Sequence, residues 1–84
     1  MKKFNVKNGA HFAEVSATML RMIAMGNGEW RGIVEEVRKD FDVKNWIDVR
    51  RVLQLLRDSG TVKRTEDVYK EVYVLGREPH LCNR

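Results

Sequence analysis

Apolar residues recur along this chain first at helical spacing and then at strand spacing, with polar breaks between. The sharpest stretch is Asn45–Arg57. Val49, Val52, Leu53 and Leu56 fall at i, i+3, i+4 and i+7, so they share one face of a helix. Arg50, Arg51, Gln54 and Arg57 lie off that stripe. Asn45 suits the N-cap, with Asp48 three residues on where a capping box usually has Glu or Gln. Gly60, after Asp58-Ser59, stops the helix. Burying the four aliphatics contributes roughly 6–12 kcal/mol gross, at about 1.5–3 kcal/mol each.

Upstream, the pattern predicts a helix from about Ala10 to Met25, with Phe12, Val15, Met19, Met22 and Ile23 near one stripe and Leu20, Ala24 and Met25 widening it. So broad an apolar surface implies a central helix covered on more than one side, or one that contributes to a dimer interface. Gly26-Asn27-Gly28 ends it, since Gly and Asn both accept the left-handed conformation a C-cap needs. Glu29-Trp30-Arg31 reads as a short extended piece that pairs with a later strand and turns Trp30 inward. A second helix is expected over about Gly32 to Phe41, burying Ile33, Val37 and Phe41. Glu35 and Glu36 near its start and Arg38 and Lys39 near its end follow the helix dipole. Asp42-Val43-Lys44 then leaves so short a turn that the two helices form a helix-turn-helix.

After Gly60 the period changes. Thr61–Thr65 is β-prone, and Val68–Leu75 is the strongest strand signal, with Val68, Val72 and Val74 on one parity and Tyr69, Glu71 and Tyr73 on the other. Thr65-Glu66-Asp67 is the polar connection, so a hairpin is expected. Residues 1–9 carry Lys2, Lys3 and Lys7 and read as a flexible basic arm; residues 76–84 lack periodicity and read as a tail.

Composition narrows the classes. Eighty-four residues make one domain. No apolar run approaches the roughly 20 residues of a membrane span, so no membrane partner is expected, and the N-terminus has no apolar signal-peptide core. A lone cysteine, Cys82, excludes an internal disulfide and fits a reducing, cytoplasmic setting. The net charge is +4, with 16 basic and 12 acidic residues, a modest bias towards polyanions. Catalytic and metal signals are absent. His11 and His80 are far apart, His80-Leu81-Cys82 lacks a second ligand pair, and Gly26-Asn27-Gly28 follows a helix where a phosphate-binding loop follows a strand. No enzyme activity and no cofactor are expected.

The order helix, extended piece, helix, turn, helix, hairpin is similar to the winged helix-turn-helix family over about residues 10–75. The residues that carry the likeness are Trp30, the Ile33–Phe41 helix, the run Arg51-Val52-Leu53-Gln54-Leu55-Leu56-Arg57-Asp58-Ser59-Gly60, Thr61-Val62-Lys63-Arg64 and the closing Val72-Tyr73-Val74-Leu75. A leucine-rich helix followed by Gly, Val and Lys-Arg resembles the passage from recognition helix to wing in small bacterial and phage regulators. The resemblance implies an α+β, mainly α fold: three helices closed by a C-terminal β-hairpin wing.

It also implies a function. In that family the helix after the turn enters the major groove of double-stranded DNA and the wing follows the backbone. The implied base-edge candidates are Asn45, Arg50 and Gln54, with Arg51 next, since Arg pairs bidentately with guanine and Asn or Gln with adenine. Lys44, Arg31, Lys63, Arg64 and Lys70 are the phosphate candidates. The implied protein is a sequence-specific transcriptional regulator or a DNA-replication or recombination accessory factor, and a homodimer suits a domain that reads few base pairs.

One departure from the family supports a second reading. Where the recognition helix usually starts polar, this chain has Trp46 and Ile47. Trp46, one turn before Val49, can fold onto the core; otherwise the two suit thymine methyl groups, or a protein partner that docks on Trp46 and Ile47 or on Met22 and Met25 of the first helix. Asp48 and Glu66-Asp67 would repel phosphate if they faced it.

Overall fold

The computed structural model describes residues 1–76. The tail expected from residue 76, with His80 and Cys82, lies outside the described residues apart from Gly76, whose N–H donates to the Thr61 carbonyl at 2.8 Å. In chain order come β1 (Lys2–Lys3), α1 (Gly9–Ala24), α2 (Trp30–Arg38), β2 (Phe41–Asp42), α3 (Trp46–Asp58), β3 (Val62–Arg64) and β4 (Tyr73–Leu75). The result is a mainly helical α+β fold with two small sheets, β1 parallel to β2 and β3 antiparallel to β4.

α1 and α3 follow the hydrophobic stripes to within a residue at each end. Val15, Met19 and Ile23 are the buried line of α1, and Val49, Val52 and Leu53 that of α3, with Leu56 partly covered. α1 packs against α2, α3 and β4, which explains its broad apolar surface as that of a central helix. Ile33 and Val37 of α2, Phe41, Val62 and Tyr73 complete one shared core.

Both long helices end as their glycines require. Gly26 (φ 83°) and Gly60 (φ 80°) take the left-handed conformation. The following N–H groups turn back to the helix, Asn27 to Met22 O at 2.8 Å and Thr61 to Leu56 O at 3.0 Å.

The structure departs from the sequence reading in four places. Trp30 and Arg31 belong to the first turn of α2, and only Gly28–Trp30 pairs with the later strand. Trp30 N–H donates to Glu71 O and Tyr73 N–H to Gly28 O, both at 2.8 Å, around a Glu29–Val72 bridge. A Cβ at Gly28 would collide with the Tyr73 carbonyl oxygen, so this close approach needs glycine. Second, α2 stops at Arg38, and Phe41 enters β2 where a helical residue was expected.

Third, residues 1–8 are no free arm. β1 pairs Lys2 with Phe41 and Lys3 with Asp42. Phe4 packs edge-on to Phe41 at 5.6 Å, His11 Nδ1 accepts from Asn5 N–H at 3.1 Å, and the Asn8 side chain caps α1. Fourth, the expected Val68–Leu75 strand shortens to Tyr73–Leu75. Asp67 Oδ1 accepts from the N–H groups of Tyr69 and Lys70 at 2.8 and 3.1 Å, and this Asx turn overrides the β-propensity of Val68 and Tyr69.

Candidate nucleic-acid interface

Asn45 caps α3, its side-chain oxygen accepting from Ile47 N–H at 3.1 Å. The cap orients α3 so that its stripe of valines and leucine enters the core and Arg50, Arg51, Gln54 and Arg57 stay exposed. Across from Arg50 and Arg57 stands β4. The two arginines are seven residues apart, two helical turns, and so address the same neighbour.

Arg50 is held there by three contacts. Its guanidinium donates to both carboxylate oxygens of Glu71, at 2.7 and 3.0 Å, and lies 4.2 Å over the Trp30 ring. Tyr73 Oη donates to Glu71 at 2.5 Å. Trp30 in turn meets Trp46 edge-on at 6.5 Å. The Glu71 carboxyl is pulled down to about 2, chiefly by the Arg50 hydrogen bonds against the opposing effect of burial, with help from Tyr73 and the Arg64 charge. Arg50 is raised from its ordinary value by the same bond to Glu71, and Tyr73 is raised by burial and by its bond to Glu71. This network joins α2, α3 and β4. It also occupies Arg50, the residue expected to read bases.

The other base-edge candidates are partly engaged as well. Gln54 donates to Asp58 at 2.8 Å, and Asn45 spends its oxygen on the cap. Arg51 remains unpaired and lines a shallow groove with Lys7, Val6, Phe12, Gln54 and Leu55. Arg57 rests over the Tyr73 ring at 5.7 Å, and Arg64 stands directly across the ladder from Tyr73.

The phosphate candidates fare differently. Lys44 lies exposed in the turn before α3, Arg31 in the first turn of α2, Lys63 and Arg64 on β3, and Lys70 in the hairpin loop. Among the described residues none of these five, nor Arg51 or Arg57, forms an ion pair.

Of the apolar candidates, Trp46 and Met22 are half-buried and packed against the core. That placement makes Trp46 part of the contact between α2 and α3, with the rest of its ring lining a surface cavity beside Arg38 and Val43. Ile47 (62% exposed) and Met25 remain outside, and Leu55 (53%) joins Ile47 two turns along α3. Sequence reasoning missed the partner of Arg50. The available signal was a carboxylate, Glu71, on the same strand parity as the inward-facing Tyr73: such a group needs a basic partner.

Among the described residues no helix is long and apolar enough to cross a membrane, and no three His, Cys, Asp or Glu side chains converge as a metal site would need. Comparison of the chain with protein-family models, with curated proteins and with solved structures yields no match.

Proposed function

We propose that this chain is a winged helix-turn-helix module that binds double-stranded DNA without catalysing a reaction, as a regulator or as an accessory factor in replication or recombination. In this reading α3 lies in the major groove and the β3–β4 hairpin is the wing. The observation that carries it is the set of unpaired cations on those elements: Lys44, Arg51, Arg57, Lys63, Arg64 and Lys70. Basic side chains outside ion pairs keep most of their attraction for phosphate, with Arg64 and Lys70 partly offset by the nearby Glu71. Because Arg50 is occupied by Glu71, affinity comes mainly from the DNA backbone, and sequence preference falls to Arg51 and to whatever Gln54 and Asn45 can still donate.

The test is titration of a labelled duplex at increasing salt. About five phosphate contacts give a log–log slope of about −4 to −5. Arg51→Ala combined with Arg57→Ala weakens binding and flattens that slope, whereas Arg38→Ala with Lys39→Ala leaves both unchanged. Salt-independent binding, or equal effects of the two double variants, refutes the proposal.

A second reading, protein docking, is favoured by the exposed Ile47–Leu55 stripe beside the Val6–Phe12 groove. A second copy of the chain is its simplest case. Sedimentation that shows a dimer in the wild type and a monomer in Ile47→Ser/Leu55→Ser supports it; a monomer at every concentration counts against that case.

A further inference from the structure

The hairpin loop between β3 and β4 ends in two apolar side chains with nothing packed on them. Val68 is 82% exposed and Tyr69 94%. A tyrosine carries a large apolar surface and is usually at least partly covered. The loop is nevertheless shaped. Thr65 N–H donates to Val72 O at 2.8 Å and closes its base, and the Asp67 carboxylate fixes the backbone of Tyr69 and Lys70. The ring is thus presented from a built turn.

The charges around it select the partner. Lys63 and Arg64 at the base of the loop and Lys70 beside the ring form no ion pair among the described residues; of the carboxylates that share a cavity with Tyr69 and Lys70, Glu71 is taken by Arg50 and Glu29 lies with Arg31. The Asp67 carboxylate is turned onto backbone N–H groups. Glu66 stays exposed at the tip and makes the tip itself a poor phosphate binder. The base of the loop therefore suits a polyanionic backbone, while its end suits a flat, uncharged, aromatic surface. Nucleobases attached to a phosphate backbone supply both. In a continuous duplex the bases already stack on one another, and a side chain must open a step to reach a ring face. A gap or a single-strand junction leaves such a face free.

We propose that Val68 and Tyr69 form a wedge that stacks on an unstacked nucleobase, so that the chain prefers interrupted duplexes to continuous ones. The proposal rests on the duplex-binding reading above and adds the kind of DNA site that is bound. The experiment uses the full chain with two labelled duplexes of one sequence, continuous and centrally gapped, the gapped one carrying 2-aminopurine at the gap.

The wild type should bind the gapped duplex roughly 5- to 100-fold more tightly and change the 2-aminopurine emission. Tyr69→Ala should lose both effects yet bind the continuous duplex as before. Tyr69→Trp should keep both. Circular dichroism confirms that each variant is folded, as expected for a side chain this exposed. Equal affinity for the two duplexes, with no change in Tyr69→Ala, overturns the wedge and leaves duplex binding standing. A wild type that binds neither duplex overturns both. If Tyr69→Ala keeps the gap preference but loses binding to phosphatidylserine vesicles, or loses self-association, the tip faces a membrane or a second copy and the wedge is wrong.

Discussion

From the N-terminal strand to the end of α2, four basic side chains find carboxylates, while Lys3, Lys7 and Arg31 form no ion pair among the described residues. Lys2 reaches Glu14 at 3.0 Å, Arg21 and Lys39 share Glu36 at 3.1 Å each, and Arg38 faces Glu35 at 3.8 Å. On α3 and the hairpin, Arg50 alone is paired among the described residues, while its basic neighbours stand free. The first set consists of exposed contacts, each worth about 0–1 kcal/mol. Their main consequence is to cancel charge on that side of the molecule. In the second region the one ion pair is bidentate, capped by a tyrosine and stacked on a tryptophan. The net charge of +4 is spread fairly evenly, with seven basic and six acidic side chains in residues 1–43 and seven and five in residues 44–76; what differs is how many of the cations are paired. The one paired arginine of α3, Arg50, serves the fold.

The largest expected effect tests whether the two regions share one core. Ile33, fully buried on α2, should cost about 2–5 kcal/mol on change to Ala. Urea unfolding followed by tryptophan fluorescence and by circular dichroism should keep one coincident transition; two transitions would mean that the halves are separate units.

Next is the exceptional pair itself. Glu71→Gln weakens two charge-assisted bonds and should cost about 1–2 kcal/mol after allowance for solvent exposure. The same group sets an acid limb. Its folded value of about 2 lies below the usual 4.5. Its stabilisation is therefore complete above pH 4.5 and is lost as the pH falls from there towards 2. Acid titration of urea midpoints should show this loss in the wild type and a flatter curve in Glu71→Gln.

The third effect concerns binding. Arg57→Ala and Arg64→Ala should each reduce the magnitude of the salt slope for duplex DNA by about 1, and Arg21→Ala should leave it unchanged. Equal slopes for all three would erase the contrast between the regions. Smallest of all, Lys2→Ala and Arg38→Ala should each move stability by about 0.5 kcal/mol or less; a loss above about 1 kcal/mol in urea unfolding would show that the first set of pairs is structural.

Much of this arrangement was legible in the sequence. The stripe Val49, Val52, Leu53 and the cap–stop pair Asn45 and Gly60 locate α3 to within a residue, because period and caps are local signals. The pairing of β1 with β2 was not legible. It joins residues 39 positions apart through two-residue strands, which have no periodicity to read. The Val68-Tyr69 segment misled because β-branched and aromatic residues there belong to a turn set by the Asp67 side chain. For the interface, residue types identified the exposed cations of α3. Which of them was already taken depended on Glu71, 21 positions away, and on a tryptophan expected in an extended piece.

The two ladders are each only two strands wide, so every one of them leaves backbone donors and acceptors open along a flank. β4 is covered on its far side by Gly28–Trp30, but among the described residues the outer flanks of β1, β2 and β3 carry no partner strand. All three are very short, and β1 and β3 consist largely of adjacent basic residues, Lys2-Lys3 and Lys63-Arg64. Like charges meeting side by side oppose intermolecular β-pairing. The protein accordingly carries its own guard against edge-to-edge aggregation, and that guard weakens as added salt screens it.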